Sequence, residues 1–421
     1  MVIHALFAVA LHLSPCTIAG ANAQCGTFDV PESAGSRRIL HLKVIVLPAT
    51  NKNRSAIFPI LGGPGDAVTP GASFVVSQFA AERRDHDYVL LDERGTEGSA
   101  LCPNAVKAHA REEIEDDMFP PALVADCRRE IEAHADLRQF RFDDFADDIE
   151  ALRRALGDGP INIVALSYGT RAALTFEARH PTSVRSMVLY GPLPPDNRPP
   201  LDFARDAQAV MDRVIPNQSE LKKILNSLPH EVKSGGYTIH MTRGAFAEYL
   251  RSMLYSVEKQ ARVPEIVRQA AAGHWETIAP GFIEYRKNWY ADLGVFLSVT
   301  CPTDVRYISS REIARHTAGT FLGDYRVRRQ IAACEQWTPG LAPRVRVSSA
   351  NVPILVMVGD RDAITPKWWA DALAREAPRV RTIVFRNSGH ADFNDCATRL
   401  ETEFLDAGAF EKLDASCAQK P

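Results

Sequence analysis

Seven short apolar runs, spaced along the chain with helix-length segments between them, constrain the fold most. They are Ile39–Leu47, Ala56–Leu61, Tyr88–Leu91, Ile161–Leu166, Val184–Leu189, Ile354–Val358 and Arg381–Phe385. Several are continuous in Val, Ile and Leu rather than alternating, which is typical of strands covered on both faces of a parallel sheet. An intervening segment has one apolar helical face: Phe145, Ile149, Leu152 and Leu156. This alternation predicts an α/β fold with a doubly wound, mostly parallel sheet.

The strand pattern stops after Tyr190 and returns only at Val352. The proline-rich stretch PLPPDNRPP follows Tyr190 directly and cannot continue a helix or a central strand. Beyond it, helical spacing predicts three helices: Phe203–Val214, Ala245–Tyr255 and Val263–Ala272. A structureless connection of this length is implausible in a compact domain. We therefore predict a core in two parts with an inserted, mainly helical cap: core 24–195, cap 196–348, core 349–421.

The N-terminus resembles a targeting segment. Val2–Leu13 is mostly apolar, and Ala21-Asn22-Ala23 before Gln24 has the pattern of a signal-peptide cleavage site. We predict a signal peptide at residues 1–23 and a secreted or periplasmic protein; the alternative is a buried N-terminal segment. The run is too short to span a bilayer, so no stable membrane insertion is expected. The net charge of −3 gives no electrostatic footprint for nucleic acid.

Cysteine usage agrees with export. Of the eight cysteines, Cys16 precedes the predicted cleavage site and the other seven follow it. Paired in chain order, six of them could form disulfides, although six cysteines allow 15 pairings: Cys102–Cys127, Cys301–Cys334 and Cys396–Cys417. Cys25 is left over in this scheme.

The stretch NIVALSYGT runs a predicted strand into Ser167 and then directly into a helix-like segment. A serine at such a corner is either a helix N-cap or a nucleophile on a tight turn. The turn of a nucleophile needs small residues two before and two after the serine, and Ala165 and Gly169 stand there. Alanine replaces the first glycine of the usual G-x-S-x-G pattern, so on this pentad alone both roles stay open.

A glycine-rich loop, GGPG at Gly62–Gly65, follows the apolar run that ends in Leu61. Bare backbone N–H groups at a strand end can hold a developing oxyanion. We predict that the N–H of Gly63 and that of Tyr168 form such a hole; the alternative is a simple Gly/Pro turn.

Two further segments supply an acid and a base. VGDRDAITP places Asp360 and Asp362 after one predicted strand, and NSGH places His390 after the next. Histidine can take a proton from a serine near neutral pH, and a carboxylate fixes its tautomer. Singly, these residues could be a loop-capping aspartate and a surface histidine. Together with Ser167 they give the chain order Ser, Asp, His at strand ends, which favours a catalytic triad.

These segments resemble a known family. GGPG, LDERGTEGS, the SYG elbow, GDRDAITP and SGH are similar to the prolyl iminopeptidase and tripeptidyl aminopeptidase branch of the α/β hydrolases. The resemblance covers essentially the whole mature chain, and Val352–Cys417 resembles the TAP-like C-terminal portion. It implies Ser167 as nucleophile, Asp362 as acid and His390 as base. Asp360 is the lesser candidate because the family's acid stands three residues before the Thr of Thr-Pro.

The resemblance implies a serine hydrolase that acts through an acyl-enzyme on a small peptide or ester substrate. An aminopeptidase is the first hypothesis, a carboxylic-ester hydrolase the second, and a catalytically inactive binding protein the third. Recognition of a substrate ammonium needs carboxylate or carbonyl oxygens, for which Asp304 and Glu335 are cap candidates beside the alternative of solvated surface acids. Histidines and acids show no metal spacing, so no metal or cofactor is predicted.

Overall fold

The structure, a computed structural model, describes residues 9–51, 55–96, 101–287, 292–337, 342, 346–391 and 394–420. Within these residues the strands are β1 (Ala10–Ile18), β2 (Ala21–Pro31), β3 (Ile39–Leu47), β4 (Ile57–Ile60), β5 (Tyr88–Leu91), β6 (Ile161–Leu166), β7 (Val184–Tyr190), β8 (His230–Ser234), β9 (Tyr237–Met241), β10 (Ile354–Gly359) and β11 (Val380–Phe385). The helices of the first part of the core are α1 (Ala72–Gln78), α2 (Pro103–Glu115), α3 (Pro121–Glu132), α4 (Phe142–Leu156) and α5 (Gly169–Arg179).

The helices that follow β7 are α6 (Pro199–Val214), α7 (Ser219–Ser227), α8 (Arg243–Ser252), α9 (Val257–Ala271), α10 (Trp275–Lys287), α11 (Leu293–Thr303), α12 (Ser310–Thr317) and α13 (Tyr325–Trp337). After β10 come α14 (Lys367–Glu376) and α15 (Asp395–Ala407). The segment between β7 and β10 is thus mainly helical, as the sequence predicts.

The central sheet has nine strands in the order β1-β2-β3-β5-β4-β6-β7-β10-β11. Within this sheet β5, β4, β6, β7, β10 and β11 run parallel to one another. The strands β1, β2 and β3 join them through antiparallel pairs. Along β6, Ile163 lies in the apolar core on one face of the sheet and Val164 in the core on the other. Burial on both faces explains the continuous apolar runs. The predicted mostly parallel, doubly wound sheet is confirmed.

The strands that sequence reasoning missed are β1 and β2 at one edge of the sheet and the β8–β9 hairpin in the cap. In the hairpin, Val232 and Ile239 face the cap's own apolar core, which also holds Phe246 and Phe282. These two strands are short and alternate buried with exposed residues, so they lack a continuous apolar run. The predicted cap boundaries at 196 and 348 stay predictions.

Four disulfides link the described chain, and none of its cysteines is free. They are Cys16–Cys25, Cys102–Cys127, Cys301–Cys334 and Cys396–Cys417. Three are the pairs predicted in chain order, and Cys25, left over in that scheme, is bonded to Cys16. Such a density of disulfides is typical of proteins of oxidising compartments.

The first disulfide bears on the predicted signal peptide. Cleavage after Ala23 would fall inside β2, remove β1, and leave Cys25 without its partner. Residues 1–8 of that segment lie outside the described residues. In the structure β1 pairs with β2 and has no fully buried residue, and the signal peptide at residues 1–23 stays a prediction.

Across the part of the chain described here, no helix has both the length and the apolar content required to cross a bilayer.

Candidate active site

Ser167 occupies the tight turn between β6 and α5. Its φ of +53° is a conformation that residues other than glycine rarely adopt, and its N–H donates to the Tyr190 carbonyl at 2.8 Å. A Cβ at Gly169 would lie 2.0 Å from the Leu61 carbonyl oxygen, so only glycine fits there. Ala165 is fully buried within the sheet, which accommodates its methyl group. Strain and close packing at this corner are typical of a nucleophile turn.

The structure brings the three predicted catalytic side chains together. His390 Nε2 lies 2.9 Å from Ser167 Oγ, and His390 Nδ1 lies 2.9 Å from Asp362 Oδ2. Asp360 is exposed, and its Oδ1 accepts a long hydrogen bond from the Ser388 N–H instead. This hydrogen-bonded series can pass a proton from the serine hydroxyl to the histidine ring while the carboxylate holds the ring in place.

Thr365 also belongs to this cluster, although the sequence analysis predicts no role for its side chain. Its hydroxyl donates to Asp362 Oδ2 at 2.9 Å and lies 3.0 Å from His390 Nδ1. Asp362 Oδ1 accepts the N–H groups of Ile364 and Thr365 at 2.7 and 2.9 Å. Burial alone would raise the pKa of Asp362, but His390 and these N–H groups outweigh it and lower that pKa. The carboxylate is therefore charged across the neutral range.

The glycine-rich loop lies against Ser167. A Cβ added at Gly62 would lie 3.0 Å from Ser167 Cβ, so the backbone approaches this closely only because glycine has none. Gly63 has a φ of +99° and lines, with Tyr168, the cavity onto which Ser167 and His390 open. That cavity has a volume of about 490 Å³, which suits a small ligand.

Comparison with known families agrees with this geometry. Residues 69–228 match the α/β hydrolase fold family, and residues 319–417 match the TAP-like protein family. The chain therefore has the α/β hydrolase fold, and its C-terminal portion is similar to the TAP-like proteins. The resemblance seen in the sequence is thereby confirmed.

Known relatives of the hydrolase cover only part of it. YuaR of Escherichia coli K12, described as a hydrolase, is 28% identical over 158 residues, which are 36% of this chain and 31% of that protein. The serine protease Hip1 of Mycobacterium tuberculosis is 26% identical over 213 residues, 45% of this chain and 40% of Hip1. The aligned segments thus span 31% of YuaR and 40% of Hip1, well under two thirds of either relative. A serine hydrolase of Cycloclasticus zankles superposes with a TM-score of 0.44 at 12% identity, over 91% of this chain and 98% of that one.

The cap of the hydrolase holds the histidine loop in place. The His390 N–H donates to the Tyr255 carbonyl at 2.7 Å, and the two rings meet edge to face with centroids 5.5 Å apart. Gln260, also in the cap, donates to the Arg361 carbonyl at 2.9 Å. Ala363 and Ile364 belong to the cap's apolar core. Loops that carry the base and the acid are therefore fixed by residues from a different part of the chain.

The two cap acids considered for ammonium recognition have different surroundings. Asp304 is fully buried, and its carboxylate accepts hydrogen bonds from Arg171 and from the Tyr168 hydroxyl. Glu335 is exposed on α13. Asp304 is thus not a solvated surface acid: it lines the cavity and anchors the side chain of Tyr168, a predicted oxyanion-hole residue.

Three further carboxyl groups surround the glycine-rich loop. Glu93 accepts the Gly65 N–H at 3.2 Å, and burial, against that hydrogen bond, raises its pKa to about 8, with Asp292 and Asp66 adding to the rise. Burial raises the pKa of Asp292 to about 7 and also raises that of Asp66. Among the described residues no group of three or more His, Cys, Asp or Glu side chains is arranged to hold a metal ion.

Proposed function

We propose that this hydrolase releases short N-terminal pieces from peptides through an acyl-enzyme on Ser167. The Ser167 hydroxyl attacks the scissile carbonyl while His390 accepts its proton, and the N–H groups of Gly63 and Tyr168 stabilise the oxyanion. His390 then protonates the leaving amine, and a water activated by the same ring releases the acyl group. Asp362 holds the imidazole and stabilises its charged form.

One observation supports this proposal above the others. The distances of 2.9 Å from Ser167 Oγ to His390 Nε2 and from His390 Nδ1 to Asp362 Oδ2 form one continuous relay. It begins on a strained turn at the wall of a cavity and ends at a buried, hydrogen-bonded carboxylate. That arrangement suits acyl transfer, to which both peptides and esters are substrates.

Recognition of a free N-terminus requires an acceptor for an ammonium group. Asp66 lines the cavity beside Gly63, where a Cβ would lie 3.3 Å from the Asp66 carboxyl carbon. Since burial raises the pKa of Asp66, a cation in the cavity would favour its ionised form and gain a charged partner. We propose Asp66 as the group that receives the substrate ammonium.

The decisive experiment combines active-site labelling with substrate profiling. A fluorophosphonate probe should label the purified protein and not Ser167→Ala, whose kcat should fall roughly 10⁴- to 10⁶-fold. Mono-, di- and tripeptidyl amide reporters with free amines should be cleaved faster than their N-acetylated forms and than simple aryl esters. Failure to label would leave a binding protein, and hydrolysis of esters with no peptide cleaved would leave a carboxylic-ester hydrolase.

The ammonium site has its own control. Asp66→Asn should bring the ratio of kcat/KM for free-amine over N-acetylated reporters close to one. Asp212→Asn removes an exposed cap carboxylate and should leave that ratio as in the wild type. An unchanged ratio in Asp66→Asn would show that the ammonium binds elsewhere.

We also propose export to an oxidising compartment, supported by the four disulfides. Intact-mass measurement of the exported protein tests the predicted cleavage. Cleavage after Ala23 would remove Cys16 and leave one free thiol on Cys25, whereas a form that keeps Cys16 should contain no free thiol.

A further inference from the structure

Two arginines from the cap line the cavity that Ser167 and His390 also line. Arg251 lies in α8 and Arg326 in α13, and their residues are only 2% and 5% exposed. A guanidinium is almost never buried to this degree unless anions or hydrogen-bond acceptors meet it. Their position beside the reacting groups raises the question of what they bind.

One carboxylate lies between them. Glu248, fully buried, accepts from Arg251 Nε at 2.8 Å and from Arg326 Nη1 at 2.9 Å, both through Oε1. Burial alone would raise the pKa of Glu248, but the charges of the two arginines outweigh it and lower that pKa. With Glu248 ionised, the three groups together carry a formal charge of +1.

One nitrogen of the Arg251 guanidinium is an unused hydrogen-bond donor. Its Nη1 is buried and makes no hydrogen bond within the described part of the chain. The guanidinium is held in place by rings, with its carbon 4.6 Å from the Phe203 centroid and 5.6 Å from that of Tyr255. Ring contacts fix the plane of the group without using its N–H donors. A preorganised guanidinium of this kind suits a carboxylate.

A series of contacts links Asp66 to Arg251 through Ser167 and His390. On one side, the loop from Gly62 to Asp66 touches Ser167. On the other, the His390 ring contacts the Tyr255 ring, which in turn lies against Arg251. Ser167 and His390 stand between, joined by their 2.9 Å contact. Along this series of contacts the acidic Asp66 lies at the Ser167 end and the basic Arg251 at the His390 end.

We propose that Arg251, with Arg326 beside it, binds a carboxylate of the substrate. The inference rests on the proposed function and narrows it to short peptides that carry a negative charge near the scissile bond. That carboxylate belongs either to an acidic side chain or to the free C-terminus of a short peptide. Arg251 is then a specificity-determining residue.

Two substrate pairs separate the sources of the carboxylate. The first pair is a peptidyl amide reporter with Glu or with Gln next to the cleaved bond, both with blocked C-termini. The second is a neutral tripeptide with a free C-terminus or with a C-terminal amide. In at least one pair the wild type should show a kcat/KM at least about 10-fold higher for the charged member, the scale of a charge-assisted hydrogen bond.

Arg251→Gln should reduce that preference to about one. The variant leaves Glu248 paired with Arg326 one to one, so no buried charge loses its partner. Arg251→Lys, which keeps the charge without the planar fork, should retain part of the preference. Arg243→Gln is the matched control, because Arg243 lies in the same helix with an exposed side chain, and it should keep the full preference.

A measurement on the wild type guards against misfolded variants. Glutarate should inhibit hydrolysis of a neutral reporter at a concentration at least 10-fold below that needed for glutaramide, at constant ionic strength. Absence of charge preference in both pairs, or a preference that survives in Arg251→Gln, would overturn the proposal while peptide hydrolysis stands. If only esters are hydrolysed, the same test runs with a monoester of glutaric acid against its amide, and the two proposals are judged separately.

Discussion

The two walls of the catalytic cavity use buried charge in different ways. On the sheet side, Asp362 accepts two backbone N–H groups, the Thr365 hydroxyl and the His390 ring. On the cap side, Glu248 meets two guanidinium groups, and one Arg251 nitrogen makes no hydrogen bond among the described residues. One wall is complete without a ligand, and the other has a donor left over.

This difference follows from what each wall must do. A base acts well when its orientation is fully determined before substrate arrives, which requires that every partner be internal. A recognition wall must keep donors that only a ligand uses, at a cost in stability without it. We infer that Ser167, His390 and Asp362 on the sheet side perform the chemistry and that Arg251 on the cap side adds a preference for a substrate carboxylate.

The largest expected effect on activity comes from a change at Asp362, on the sheet side of the cavity. Asp362→Asn should lower kcat/KM by roughly 10⁴, because the amide would favour the wrong tautomer of His390. Asp360→Asn removes the exposed neighbouring carboxylate and should stay within about 3-fold of the wild type, measured on the best reporter. Equal losses in the two variants would contradict the assignment of the acid.

The second prediction concerns the link between the walls. Asp304, at the end of α11, is paired with Arg171 of α5, and removing one partner of a buried pair costs about 3–5 kcal/mol. Asp304→Asn should therefore lower the free energy of unfolding by that amount, measured by chemical denaturation. Glu335→Gln changes an exposed acid and should have almost no effect.

The third prediction compares two buried carboxyls of opposite shift. The pKa of Glu93 is raised to about 8, so the folded protein holds a proton that the unfolded chain has lost above about pH 4.5. Its contribution to stability therefore falls as pH rises through this window, by about 3 kcal/mol between pH 5 and 8. Glu93→Gln keeps an acceptor oxygen for the Gly65 N–H and should flatten that fall in unfolding experiments.

The pKa of Asp362 is lowered, so its contribution has the opposite sign. It is present above the unfolded value near 4 and is lost as pH falls through the folded value. In Glu93→Gln the acid limb of the stability curve should therefore remain. Loss of the acid limb, with the alkaline fall unchanged, would contradict the shift assigned to Glu93.

The smallest effect is expected at Thr365, a positioning residue whose hydroxyl contacts Asp362 and His390. Thr365→Val should lower kcat about 10-fold, the scale of one hydrogen bond, with KM unchanged. Thr365→Ser keeps the hydroxyl and should recover most of kcat. A rise in KM at constant kcat would instead place Thr365 in substrate binding.

Much of the sheet wall could be predicted because its signals are local. The strand β6 is a continuous apolar run, Ser167 follows it directly, and small residues flank the serine at a spacing that a tight turn requires. Asp362 and His390 likewise follow buried strands, and parallel strands end at one edge of a sheet. Short-range patterns were therefore enough to propose side chains 223 and 28 residues apart as neighbours.

Other features escaped for physical reasons. Residues 1–23, which include β1 and the first three residues of β2, are predicted as a signal peptide because apolar residues precede a small-residue motif; only the structure shows the pairing of β1 with β2 and the Cys16–Cys25 bond. Tyr255 acts on His390 through its carbonyl, which no side-chain pattern can reveal.

From the amino-acid sequence alone come the layered sheet, the mainly helical segment between its halves and the three side chains proposed for catalysis. Those features depend on hydrophobic period and on residues beside strand ends, which neighbouring positions encode. Tertiary structure alone decided the cap wall. Glu248 and Arg326 are 78 residues apart on different helices, and in sequence each looks like an ordinary solvated charge. Only their shared burial against the cavity distinguishes them, because the environment of a charge is set by what the rest of the chain packs around it.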